Sequence, residues 1–156
     1  MNSGSKARSN FLMKRLYIAG HTGLVGSALV RHFSKRKDLE LITVTHQSLD
    51  LLNGPKVEQF LLDQKPDALI VAAGRVGGIS ANAEQGGQFF YENLMIQTHL
   101  IQGAYKAGVT RLLNFGSSCM YPKVTEQPMA VRQLMTGPLE PTSAPYAVAK
   151  WAGLTL

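Results

Sequence analysis

The chain has 156 residues, 45% of them apolar and 17% charged, with a net charge of +6. That length suits one domain burying about 68 to 70% of the surface its unfolded chain exposes, and the composition excludes a disordered or fibrous chain. The charge does not mark a nucleic-acid binder. Lys6, Arg8, Lys14 and Arg15 sit at the amino end, and the rest of the chain holds 12 basic against 10 acidic side chains, without the one-sided basic cluster such binding needs. The longest apolar run, around Ala68 to Ala73, is far shorter than the roughly 18 residues of a membrane span. The amino end also lacks the apolar stretch of a signal peptide, so no membrane partner and a cytoplasmic location are expected. Cys119 is the only cysteine, which excludes an internal disulfide and a cysteine-based zinc site. No metal is expected.

In chain order, residues 1–12 are small and polar without periodicity, and residues 1–13 are expected to be a disordered tail ahead of one domain over 14–156. Arg15 to Gly20 reads as a strand. Gly23 to Ser34 places Leu24, Val25, Ala28, Leu29 and Phe33 at helical spacing. Leu39 to Val44 and Ala68 to Ala73 are apolar runs without alternation, as in strands buried on both faces of a parallel sheet. Between them, Lys56 to Leu62 has a helical pattern that Lys65-Pro66 ends. Gly86 to Ala107 is a long helix with two apolar stripes, Phe90, Leu94 and Ile101 on one and Phe89, Ile96 and Leu100 on the other, so it should contact both the sheet and something else. Arg111 to Gly116 is a fourth strand, and a proline-rich loop leads to a helix beginning near Tyr146. The alternation predicts an α/β fold of the Rossmann type, a doubly wound parallel sheet.

The turn Gly20-His21-Thr22-Gly23-Leu24-Val25-Gly26 lies between the first strand and the first helix. Glycine there permits the tight turn, the approach of a pyrophosphate and close packing of helix on strand, and the helix N-terminus offers free N–H groups to phosphate. A glycine-rich turn that binds nothing is the alternative, and the strand-turn-helix context weighs against it. An NAD site would show an acid about 20 residues later. Val44-Thr45-His46 has none before Asp50, which favours NADP(H). His46 is either a donor to the 2′-phosphate or a solvated loop histidine.

Tyr146 and Lys150 are four apart and share one face of a helix. A phenol with a pKa near 10 becomes a useful acid-base group beside an ammonium that favours its anion, and Ser117, after the fourth strand, can hydrogen-bond the same carbonyl oxygen. The order of glycine turn, serine motif and Tyr-x-x-x-Lys resembles the extended short-chain dehydrogenase/reductase family. The stretches Ile18 to Ser27, Val76-Gly-Gly-Ile79, Gly116-Ser-Ser-Cys-Met-Tyr-Pro-Lys123, Gln127-Pro128-Met129 and Gly137 to Thr142 resemble, more narrowly, the branch that epimerises and reduces GDP-4-keto-6-deoxymannose with NADPH.

The resemblance implies Tyr146 as proton donor to the C4 keto oxygen, Lys150 as its electrostatic partner and a ribose ligand, Ser117 as the orienting hydroxyl, and Cys119 as the acid-base group for inversion at C3 and C5. A buried structural cysteine is the alternative for Cys119. It also implies cofactor contacts at Asp50, Leu51, Ala72, Ala73, Asn93, Phe115 and Gly116, a GDP-sugar substrate, and a homodimer of the full-length form. Three departures stand out: Thr22 where the family often has Arg, Gly74-Arg75 where it frequently has Ala-Lys, and a length about half the family's. The domain is therefore expected to be truncated after the Tyr-x-x-x-Lys helix, with the substrate domain and a second epimerisation histidine beyond Leu156. In a sheet of order 3-2-1-4-5-6 the chain would supply strands 3, 2, 1 and 4, leaving strand four as an unpaired edge. Alone it is expected to bind NADP(H) weakly or not at all and to show no turnover. The alternatives are another NAD(P)-dependent nucleotide-sugar epimerase or dehydratase, or a non-catalytic NADP-binding module.

Overall fold

Four short apolar runs become the strands of one parallel sheet, and the segments between them become its helices. The computed structural model describes residues 14–156; the tail expected over 1–13 lies outside them. The strands are β1 (Lys14–Ala19), β2 (Leu39–Ile42), β3 (Ala68–Val71) and β4 (Arg111–Asn114), and the helices are α1 (Leu24–Phe33), α2 (Gly54–Gln64), α3 (Ile79–Glu84), α4 (Gly86–Lys106) and α5 (Ala144–Thr155). The expected strands and helices are all present, within a few residues at their ends. Helix α2 begins earlier than its apolar pattern suggests. Asn53 caps it, accepting from the Lys56 amide at 3.1 Å, with Pro55 in the first turn. It stops at Lys65, which is left-handed at φ 43° just before Pro66. The short α3 falls in a Gly-Gly segment with too few apolar residues to reveal a period.

The strand order is β2-β1-β3-β4, all neighbours parallel. This corrects the expected 3-2-1-4 arrangement. Between Ile42 and Ala68 the chain makes turns and α2 but no third strand beyond β2. It crosses β1 instead, so β3 pairs with β1 and β4 with β3. The four strands thus take the positions 2, 1, 4 and 5 of the doubly wound order. Among the described residues β4 is one of the two edges, as expected of the last strand, and its Leu112 and Leu113 remain 40% and 49% exposed.

Both faces of the sheet are covered at β1 and β3, which explains their unbroken apolar runs. Tyr17, Ala19, Leu69 and Val71 pack with Val57 and Leu61 of α2 and Leu100 and Ala104 of α4. Leu16, Ile18 and Ile70 pack on the other face with Leu29, Val30 and Phe33 of α1. Helix α4 touches α2 and α5 as well as the sheet, which accounts for its two-sided pattern. Its buried row nevertheless includes Asn93 and Gln97, while Phe90, Leu94 and Ile101 are only half-buried. Leu61 is fully buried between α2 and the sheet. Leu61→Ala is expected to destabilise the fold by about 3 kcal/mol in urea unfolding, whereas Leu154→Ala, at an exposed position, should change it by less than about 0.5 kcal/mol.

Candidate active site

The turn after β1 is shaped by backbone contact. Gly20 is left-handed at φ 83°, and a Cβ there would lie 2.6 Å from the Ala73 backbone at the end of β3. A Cβ on Gly26 would overlap the Gly20 carbonyl oxygen. The Gly23 amide donates to that carbonyl at 3.0 Å, closing the turn under α1. Gly23 caps α1 without a side-chain acceptor, and the first turn of α1 contains no acid. The N–H groups at that end are therefore open to an anion.

A cavity of about 400 Å³ opens in front of this turn, between the carboxyl ends of β1, β2 and β3. Of the residues expected to hold a cofactor, Gly20, His21, Thr22, Gly23, His46, Asp50, Leu51, Ala72 and Ala73 line it. Leu24, Val25 and Gly26 form the first turn of α1 behind it. Asn93 does not line it. Buried, it donates to the carbonyls of Arg75 and Phe89 and accepts from the Arg75 amide, fastening the chain after β3 to α4. Phe115 and Gly116 follow β4, outside this cavity. Gly74, Arg75, Glu92 and Ile96 also line it, and the sequence reading missed them. Arg75 bonds Glu92 at 2.9 Å and Gln85 at 2.7 Å and lies 5.2 Å from the centre of the Phe89 ring. Its place directly after β3, beside the switch point of the sheet, was the available signal. Asp50 brings a carboxylate to the cavity after all, 3.9 Å from His46 Nδ1.

The second group of residues is assembled by the turn after β4 and by α5. Ser117 caps a short 3-10 turn over Ser118–Met120, its Oγ accepting from the Cys119 amide at 3.2 Å. Trp151 of α5 donates to the Met120 carbonyl at 2.8 Å, tying the helix to that turn. Tyr146 stands in the first turn of α5 and Lys150 one turn later. Tyr146 and Cys119 face one small cavity of about 130 Å³, together with Val76, Gly77, Asn82 and Ser143. Four of these residues, Gly77, Asn82, Cys119 and Ser143, also line a wider cavity of about 670 Å³.

The direction of the Tyr146 shift is opposite to the expectation. Burial pushes the Tyr146 phenol above its ordinary value, nearby Cys119 adds to this, and a hydrogen bond from Ser117 draws it back. Burial pushes the Lys150 ammonium down. Desolvation, rather than the pull of a nearby ammonium, therefore sets the phenol, which holds its proton at neutral pH. Such a group is suited to donate a proton to a developing oxyanion.

The sequence profile of the NAD dependent epimerase/dehydratase family matches residues 16–156. The chain belongs to that family. It is 48% identical over 143 residues to the GDP-L-fucose synthase of Sinorhizobium fredii, covering 92% of this chain and 45% of that one. With the GDP-L-fucose synthase of Escherichia coli the identity is 46% over 143 residues, covering 92% and 44%. Among solved structures it is similar to a GDP-mannoheptose C4 reductase from Campylobacter jejuni with NADP bound, at TM-score 0.86 and 38% identity, covering 90% of this chain and 44% of that one. This epimerase/dehydratase chain thus spans about half the length of the curated relatives it matches. Removing the Ser117 hydroxyl removes the contact that lowers the Tyr146 pKa. Ser117→Ala should therefore move Tyr146 ionisation to higher pH, followed by NMR of the Tyr146 ring carbon; an unchanged or lower value would contradict the contact.

Proposed function

We propose that the chain is the cofactor-binding and proton-transfer half of an NADPH-dependent epimerase/reductase that converts GDP-4-keto-6-deoxy-D-mannose to GDP-L-fucose. The observation that carries this reading is the single small cavity faced by both Cys119 and Tyr146, which puts a thiol and a protonated phenol beside one ring-sized space. The GDP-L-fucose synthases of Sinorhizobium fredii and Escherichia coli, 48% and 46% identical over 92% of the chain, support the choice of substrate.

The residues present fit a dinucleotide phosphate. Gly20 and Gly26 let the turn close against backbone where a Cβ would clash, the open N-terminus of α1 lies beside it, and Arg75, His21 and His46 line the same cavity. Gly20 to Gly26 would hold the pyrophosphate, with His46 and Thr22 toward the 2′-phosphate, and the cofactor when bound supplies the hydride. Protons beside the C4 ketone are acidic, so Cys119 can exchange one on one face while a second acid, the histidine expected in the other half of such an enzyme, exchanges it on the opposite face, and the two together invert C3 and C5. Tyr146 then gives its proton to the C4 oxygen as the ketone becomes an alcohol, with Ser117 bonding the same oxygen. Lys150, one turn away, favours the phenolate left behind.

The same reading includes a cytoplasmic, homodimeric full-length form. Among the described residues no helix is long and apolar enough to cross a membrane, and α4 keeps Tyr91 and Tyr105 exposed.

Residues 1–156 alone are expected to give no NADPH oxidation with GDP-4-keto-6-deoxymannose, because the groups that hold the sugar belong to the other half of such an enzyme. In a full-length form, Tyr146→Phe should lower kcat about 10²- to 10⁴-fold. Cys119→Ala should abolish solvent deuterium incorporation at C3 and C5, read by mass spectrometry and NMR. Deuterium uptake at the wild-type rate in Cys119→Ala would remove the thiol from the mechanism.

A further inference from the structure

Helix α5 is held against the rest of the fold by a buried polar contact that the apolar pattern of α4 does not foreshadow. Gln97, 1% exposed, donates from Nε2 to the carbonyl of Ala149, the residue before Lys150. Its Oε1 accepts from Asn114 Nδ2 at 3.4 Å, and the same Asn114 amide donates to the Gly153 carbonyl at 3.4 Å. A Cβ on Gly153 would overlap the Gln97 amide, so glycine lets α5 settle onto the pair. One residue from α4, one from the end of β4 and two backbone carbonyls of α5 meet at a single point.

As a stabilising device this junction is poor. Asn114 Oδ1 is buried and has no hydrogen-bond partner among the described residues, and an unmatched buried acceptor is unfavourable. The Ala149 and Gly153 carbonyls belong to the α5 backbone, and Ala149 sits mid-helix with the Gly153 amide as its helical partner. Two apolar side chains of similar shape would remove the orphaned Oδ1 and leave the Ala149 carbonyl paired, giving up in return the 3.4 Å contact to the Gly153 carbonyl. Lys150 meanwhile is only 7% exposed, and no hydrogen bond to the described residues anchors its ammonium. Its position depends on where α5 is placed.

We infer that Gln97 and Asn114 are positioning residues, a polar clip that fixes the height and rotation of α5 and so aims Lys150, and with it Tyr146, at the cofactor. The inference rests on the reading that Lys150 contacts bound NADP(H).

The test is an NMR titration of residues 1–156 with NADPH, which reads dissociation constants into the millimolar range, for wild type, Lys150→Met, Gln97→Leu/Asn114→Leu and the combined triple variant. The double variant should keep or raise its urea midpoint, weaken NADPH binding about fivefold, and add nothing to the loss already caused by Lys150→Met. Gln97→Met, close to glutamine in shape, supplies the same comparison if the double variant loses its fold. Wild-type NADPH binding in the folded clip variants, or an equal fivefold loss in the Lys150→Met background, would overturn the clip. If Lys150→Met itself binds NADPH as wild type does, the contact between Lys150 and cofactor fails first, and the inference falls with it.

Discussion

The close approach of two backbones at Gly20 is the constraint on which the rest of the structure depends. With no side chain there, the turn after β1 comes against the end of β3 at Ala73, and Gly26 brings α1 down onto the same turn. Those contacts fix three things together: the spacing of β1 and β3, the direction of α1, and the width of the cavity in front of them. A side chain at either glycine would act as a wedge between packed backbones. Fold and binding site are here one piece of geometry.

Ser117, Cys119, Tyr146 and Lys150 are placed by a separate set of contacts at the same carboxyl end of the sheet, on its β4 side. β4 ends in the Ser117 turn, Trp151 fastens that turn to α5, and the Gln97 and Asn114 amides hold α5 from below. Tyr146 and Cys119 consequently share one small cavity although 27 positions separate them in the chain. Their environment is dry enough to keep the phenol protonated and to weaken the lysine's hold on its own proton.

Much of this was legible in the sequence, for identifiable reasons. Strands buried on both faces leave unbroken apolar runs, and the runs Leu39 to Val44 and Ala68 to Ala73 reveal β2 and β3, each two residues longer than the strand itself. The glycine turn and the Tyr146 and Lys150 pair are local in sequence, so spacing reveals them. The strand order was not legible, because nothing in the residues between β2 and β3 tells a chain that adds a third strand from one that crosses β1. Arg75 and Glu92 were missed because their roles arise from a contact between a loop and a helix 17 residues on. Gln97 and Asn93 contradict the apolar period of α4, and only the neighbouring backbone carbonyls explain them. The direction of the Tyr146 shift depends on burial, which spacing does not report.

The central claim is that the Gly20 to Gly26 turn binds the phosphates of NADPH. Chemical-shift mapping of the labelled chain during parallel titrations with NADPH and NADH tests it most directly. The account predicts weak, saturable shifts centred on Gly20, Thr22, Gly23 and His46, larger for NADPH than for NADH at equal concentration. Shifts confined to other surfaces, none at all at millimolar cofactor, or tighter binding of NADH would contradict it.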